Sequence, residues 1–258
     1  MRFEGIPLLA LALSICSAEE TIPVEDTARC GSCDTGGPEQ SPEDTAPPQD
    51  TAPPQDSPPE CWLLDFDLDA EGRAILGGQD VAEVYAPWGF HIETWDRTQS
   101  APGLGIAFDS ANPPGTDYDL GTPNEAYGGP GVGEAGDSND IALYNLLIRA
   151  ETTTNSDGDG RVDVPDDHVY GAHFVVSLDA PLCLRSIDFV DIDEQPVAMV
   201  LLAADGSELA GLASSQHGDN SRETMELEVC GVSLVELTLQ GSGALDRLLF
   251  CAEASGGG

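Results

Sequence analysis

From residue 61 onward the hydrophobic pattern of this chain has a period of two. S-I-D-F-V-D-I-D from Ser186 and V-E-L-T-L from Val235 put apolar side chains on one face of an extended segment and polar ones on the other, as in a strand with one face buried. Apolar and β-branched runs of strand length recur, each bounded by Gly, Pro, Asn or Asp. They predict strands at Trp62–Leu68, Val84–Thr94, Leu104–Phe108, Ala142–Ile148, Val169–Leu178, Leu184–Ile192, Val197–Ala203, Thr224–Val229, Ser233–Leu239 and Leu245–Phe250. No segment carries the period of a long amphipathic helix. Short strands joined by Gly-rich loops indicate an all-β domain over residues 61–252, a two-sheet antiparallel β-sandwich of jelly-roll type.

The pattern changes before Cys61. Eight prolines fall between Pro38 and Glu60, and the repeat D-T-A-P-P-Q begins at Asp44 and again at Asp50. Proline fixes φ and removes donors, so residues 19–60 read as a disordered, acidic, Pro-rich stalk that buries no core. Upstream, Arg2, the apolar run Ile6–Ile15 and the small residues around Cys16–Ala18 form an export signal over residues 1–18. This run is too short to remain as a bilayer-spanning helix. L-S-I-C at Leu13–Cys16 resembles a lipobox acylated at Cys16, although Ile15 is bulkier than the small residue usual before that cysteine. Cleavage after Ala18 is the alternative and would release a soluble protein. Residues 253–258 read as a flexible tail.

Charge narrows the partners. With 47 acidic residues, 9 basic ones and no lysine, the net charge is -38. Phosphate neutralisation needs clustered Lys and Arg, so nucleic acid is excluded as a partner, and the membrane is reached only through an N-terminal lipid anchor. Carboxylates are hard oxygen ligands, which suits a carrier of divalent cations or a surface in a salty exterior. Seven cysteines become six once Cys16 is lipidated or removed, and an even number in an exported chain suggests disulfides. Spacing favours Cys30–Cys33 in C-G-S-C, where no second ligand pair supports a zinc or redox motif. If the first and last strands are neighbours, Cys61–Cys251 ties the domain ends and Cys183–Cys230 remains.

The sharpest chemical signal is N-S-D-G-D-G-R-V-D-V-P-D at Asn155–Asp166. Asn155, Asp157, Asp159, Asp163 and Asp166 supply oxygens in the order of an EF-hand calcium loop, Arg161 supplies a carbonyl, and Gly160 permits the turn. The flanks are not helical, so the loop is expected between two strands, with Ca2+ as cofactor. Asp65 with Asp67, Asp117 with Asp119, and Asp191 with Asp193 are spaced to share strand faces, and together with Asp246 they form a candidate second metal site. Asp246 interrupts the apolar final strand, where a buried charge needs a partner. Arg247 and Arg185 are candidates for that partner.

Other chemistry is thin. His91, His168, His173 and His217 lack zinc spacing, no G-x-S-x-G elbow occurs, and the Gly-rich run at Gly128 lacks the P-loop lysine. Paired carboxylates would also serve a polysaccharide hydrolase, which is the enzymatic alternative. Among the tryptophans, Trp88 is expected in the core and Trp95, beside Thr94 and Asp96, is the candidate ligand platform.

D-F-D at Asp65, Y-A-P-W-G at Tyr85, F-D-S-A-N-P at Phe108, D-Y-D-L-G-T-P-N at Asp117, D-I-D-E at Asp191 and G-S-G-A-L-D-R-L-L-F at Gly241 together resemble an exported bacterial domain of anchored surface proteins, the PEP-CTERM-associated type. The resemblance covers nearly all of residues 62–251. It implies a β-sandwich shaped like carbohydrate-binding modules and implies no known activity. The chain departs from the family by lacking a C-terminal sorting segment, so the N-terminal signal and stalk are expected to supply the anchor. The expected function is therefore a non-catalytic, calcium-binding module of the cell envelope or exterior that binds a glycan or a surface protein. A purely structural envelope lipoprotein is the remaining alternative.

Overall fold

The structure is a computed structural model that describes residues 60–114, 117–126, 128–134 and 136–253. The export signal, Cys16, the stalk before Glu60, Cys30–Cys33 and the tail after Glu253 lie outside the described residues. Two long strands organise the rest, β5 (Ala172–Val190) and β8 (Arg222–Thr238), which pair antiparallel along most of their length. The first half of β5 pairs with β2 (Phe90–Asp96), and the matching half of β8 carries β6 (Ala198–Leu202) and then β7 (Glu208–Ala213). The second half of β5 pairs with β9 (Ala244–Cys251). Strand β9 continues to β4 (Asn145–Arg149) and β3 (Gly105–Asp109), with β1 (Cys61–Leu64) also against it.

Register shifts between Ser177 and Ser186 of β5 bend both long strands. Bulges of this kind raise local twist and turn a strand, so each long strand serves both layers of an antiparallel sandwich. This corrects the sequence reading, which ended strands at Leu178 and Val229 and restarted them at Leu184 and Ser233. Asp179–Ala180–Pro181 and Cys230–Gly231 have turn composition, yet they sit at the bulged corner, the position where a strand tolerates Pro and Gly. The same composition rule missed β7, whose E-L-A-G-L-A sequence is small, half-exposed and carries a glycine. It also overextended β2, because Ala86–Trp88 forms a 3-10 turn closed by Gly89 at φ 84°.

Phe90, Phe174, Phe189, Phe250, Met199 and Leu201 fill the main core. A second buried cluster holds Ile106, Phe108, Leu120, Leu146, Ile148, Val162 and Val190. Leu120 comes from D-Y-D-L and Val162 from the Asn155–Asp166 loop, so two separate acidic loops are anchored by apolar side chains in one small core.

Cys61–Cys251 joins the first and last strands with the Cα atoms 4.0 Å apart, and Cys183–Cys230 joins β5 to β8 at the corner with the Cα atoms 3.8 Å apart. These bonds close sequence separations of 190 and 47 residues, for which chain entropy lost from the unfolded state is on the order of 5 and 4 kcal/mol. The Cys61→Ala/Cys251→Ala variant should therefore melt below the Cys183→Ala/Cys230→Ala variant, and both at least roughly 5 °C below the parent protein. Differential scanning calorimetry of the three proteins checks the order.

Candidate metal centre

Asp117, Asp166 and Asp167 each bring a carboxylate oxygen within 4.8 Å of the other two. Asp117 and Asp167 are 8 % and 4 % exposed, so at least two of the three acids face little water. Asp117 precedes the 3-10 turn Tyr118–Leu120, which Leu120 pins into the second core. Asp167 Oδ2 accepts hydrogen bonds from Gly243 N at 2.7 Å and Ser242 Oγ at 2.8 Å. Gly243 has φ 135°, and a Cβ there would lie 2.9 Å from the Asp191 carbonyl oxygen. Only glycine brings that N–H to Asp167.

More carboxylates surround this group. Asp191 is 2 % exposed, and its Oδ1 accepts the Asn220 N–H at 2.6 Å. Burial and then repulsion from Asp167, Asp119 and Asp166 push Asp117 well above the usual carboxylate range. Burial, followed by repulsion from Asp119, Asp193 and Asp167, pushes Asp191 up to about 8 despite the Asn220 hydrogen bond. Burial pushes Asp167 up to about 6 against its two hydrogen bonds, and burial also raises Asp119, Asp166, Asp193 and Asp219. Among the described residues no Arg or His forms an ion pair with any of these seven acids.

Four buried oxygens in this region have no hydrogen-bond partner: Asp117 Oδ2, Asn139 Oδ1, Asn220 Oδ1 and Ser221 Oγ. Asn220 Nδ2 donates to the carbonyls of Gly121, at 2.9 Å, and Asp119. Asn139 Nδ2 donates to the carbonyls of Gly121 at 3.1 Å and Asn220 at 2.6 Å. Both amide nitrogens are thereby committed, and the amide oxygens are left over. A buried oxygen without a donor costs on the order of 1–3 kcal/mol. An all-oxygen set of carboxylates and amide carbonyls fits a hard cation such as Ca2+ better than a soft metal.

The sequence-predicted residues divide. Asp166 joins Asp117 and Asp167, while Asp157, Asp159 and Asp163 form no three-carboxylate group with it among the described residues. Their oxygens also take local bonds. Asn155 Oδ1 accepts Gly158 N at 2.8 Å, Asp157 Oδ1 accepts Asp159 N at 3.1 Å, and Asp159 Oδ2 pairs with Arg161 Nε at 2.7 Å. Asp163 Oδ2 accepts Ser156 N at 2.9 Å. The seven residues of the proposed second site also separate. Asp117, Asp119, Asp191 and Asp193 belong with Asp166 and Asp167, whereas Asp65, Asp67 and Asp246 influence one another elsewhere.

Sequence reasoning missed Asp167, Asn139 and Asn220. The doubled acid of P-D-D at Pro165 was the available signal for Asp167, but nothing local marked the asparagines. The tryptophan expectations also change. Trp88 is 37 % exposed and stacks on Tyr85 at 5.6 Å, because the 3-10 turn lifts it from the sheet. Trp95 is half-buried, with Nε1 3.3 Å from Glu93 Oε2, and it lines a groove of about 240 Å³ with Ile92 and Pro102.

No family model and no curated protein matches the chain. Among solved structures, a mutant of the lectin binding domain of Lectinolysin complexed with Lewis b aligns at 12 % identity and TM-score 0.25, over 34 % of this chain and 68 % of that one. A Streptococcus pneumoniae fucose binding module aligns at 11 % identity and TM-score 0.24, over 31 % and 62 %. Discoidin II from Dictyostelium discoideum aligns at 11 % identity and TM-score 0.27, over 40 % and 48 %. The chain thus spans about half to two thirds of these proteins. At such TM-scores the likenesses decide neither fold nor function.

Proposed function

We propose that residues 61–252 form a non-catalytic binding module whose loops are held by a hard divalent cation, calcium by preference, at Asp117, Asp166 and Asp167 with Asp119 beside them. The observation that carries this reading is the three-carboxylate group, two of its members buried, beside buried amide oxygens that accept no hydrogen bond. A bound cation turns repulsion among the acids into attraction and fixes the loops that carry them. The ion is a staple in this reading and carries no signal, since the centre joins loops and no helix pair is present among the described residues to open.

A ligand face lies next to this centre. Tyr118, between Asp117 and Asp119, is 46 % exposed and lines a groove of about 420 Å³ with Pro113, Pro123, Glu125 and Ala142. An aromatic ring with a neighbouring carboxylate suits a sugar ring and its hydroxyls, so a glycan is the proposed ligand class, with a surface protein as the alternative partner. Two disulfides support export to an oxidising compartment, with anchoring through Cys16 or release after Ala18.

Calcium titration by isothermal calorimetry of two variants tests the centre, because the two readings of Asp166 differ in their other ligands. Asp117→Asn should lose one bound ion, and Asp159→Asn should lose none. The reverse pattern would move the ion to the Asn155–Asp166 loop and overturn the Asp117 centre.

A further inference from the structure

The groove beside Trp95 carries chemistry that neither the cation centre nor the Tyr118 groove uses. It opens where three stretches of chain meet and then diverge. Backbone bonds tie them in pairs: Ile92 N donates to Ala82 O at 3.0 Å, Gly103 N to Thr94 O at 2.8 Å, and Val81 N to Gly105 O at 3.1 Å. Between these ties, residues 80–82, 92–95 and 102–105 enclose a groove of about 240 Å³. Gly105 keeps the walls close, because a Cβ there would lie 2.4 Å from Thr94 Oγ1.

Its lining is unbalanced in charge. Ile92, Pro102, Leu104 and Trp95 give it apolar surface, and Asp80 and Glu93 are its charged members. Both acids are exposed residues. Alternation along β2 puts Glu93 and Trp95 on one face, and Glu93 Oε2 accepts Trp95 Nε1 at 3.3 Å. Asp80 Oδ1 accepts the Ala82 N–H at 2.9 Å, which fixes that carboxylate at the rim. Among the described residues no base lines the groove. Arg149 touches one wall without lining it: a Cβ on Gly103 would lie 2.8 Å from Arg149 Nε, and Arg149 Nη1 donates to Gly171 O at 2.9 Å.

Charge and shape together narrow the ligand. An indole face stacks on the apolar face of a sugar ring and attracts a cation. Two carboxylates without a base repel an anion, and from a neutral sugar they gain hydrogen bonds only. A hard metal ion wants more oxygens than this pair supplies, and neither acid belongs to a three-ligand group among the described residues. The volume falls below the usual ligand pocket of about 300–1,000 Å³, so it suits a single ring and not an extended peptide. We propose that the Trp95 groove is a second ligand site, specific for a cationic amino sugar whose ring lies on the indole and whose ammonium group is held by Glu93, with Asp80 at the rim. The site is separate from the cation centre and from the Tyr118 groove. Two sugar sites on one module would engage a polymeric glycan at two points.

Isothermal titration calorimetry of the full-length protein with glucosamine, N-acetylglucosamine and the amide of Nα-acetyl-lysine tests the site, at mildly acidic pH where both amines are protonated. The parent should bind glucosamine about tenfold more tightly than N-acetylglucosamine, which keeps the ring and loses the charge. Trp95→Ala should abolish glucosamine binding. Glu93→Gln, altered at an exposed position and still able to accept Trp95 Nε1, should weaken glucosamine about tenfold and leave N-acetylglucosamine unchanged. It also covers the case in which Trp95→Ala fails to fold. Equal affinity of the parent for the two sugars, or a glucosamine affinity that Glu93→Gln does not move, would overturn the site. Tighter binding of the lysine amide than of glucosamine would overturn the amino-sugar assignment in favour of a protein partner. Glucosamine binding lost in Tyr118→Ala and kept in Trp95→Ala would place the amine in the Tyr118 groove and overturn the second site. No binding of any of the three would overturn it while leaving the cation centre, which is read by calcium alone.

Discussion

Chelator-treated protein at about pH 7.5 should gain roughly 5–10 °C in Tm when calcium is added to about a hundredfold above its Kd, and Asp167→Asn should lose most of that gain. A ligand specific to the folded state stabilises by about 2.7 kcal/mol at that ratio, and for a domain of this size each kcal/mol moves Tm by about 2–4 °C. Asp167→Asn is the informative variant because its amide oxygen can still accept Gly243 N and Ser242 Oγ. The turn at Gly243 is kept while one ligand charge is removed. In chelator the variant should therefore melt at or above the parent, since a buried charge repelled by Asp119 and Asp166 has gone. In calcium it should melt below the parent. A calorimetric midpoint of the parent that does not respond to calcium would end the metal reading altogether.

Strand-level architecture was legible in the sequence because period-two alternation reports a buried face directly. Ser186–Asp193 and Val235–Leu239 show it, and β9 was nearly delimited. What composition could not report was continuity. Pro181 and Gly231 look like turns in any local window, and only the pairing of β5 with β8 shows them to be corners of strands that pass between layers. The site divides along the same line. Asp246 could be singled out because one charge in an apolar strand is a local anomaly. Asp117, Asp166 and Asp167 could not be grouped, because they come from two separate loops whose Leu120 and Val162 enter the same second core. The spacing of Asn155–Asp166 is local information, and the side chains there also accept bonds from Arg161, Ser156 and backbone N–H groups.

In chelator, Tm should fall as pH rises from about 4 to about 9, and calcium should progressively remove that fall. The sign follows from the direction of the shifts. Burial raises Asp167 and Asp67 to about 6 and Asp191 to about 8 in the folded state, and it raises Asp117 and Asp246 as well. These aspartates titrate near 3.8 in the unfolded chain, so across this window they hold more protons folded than unfolded, against the opposite contribution of His168 and His173, which burial holds below their ordinary value. Stability then decreases with pH. The contribution of these acids is complete below the unfolded value and is lost as pH passes each folded value, first Asp67 and Asp167, then Asp191. Surface acids with the opposite shift, Asp96 and Asp205, are held down by hydrogen bonds from Ser100 and Ser207. Their contribution is lost as pH falls below 3.8, outside the window, and surface groups of this kind contribute little. A cation binds the ionised carboxylates and competes with protons, so calcium affinity should climb with pH over the same range. Melts at intervals of one pH unit, in chelator and in calcium, should diverge from nearly coincident at pH 4 to separated by on the order of 10 °C at pH 8. A chelator curve that rises with pH would mean that these acids are ionised and compensated in the folded chain without any metal.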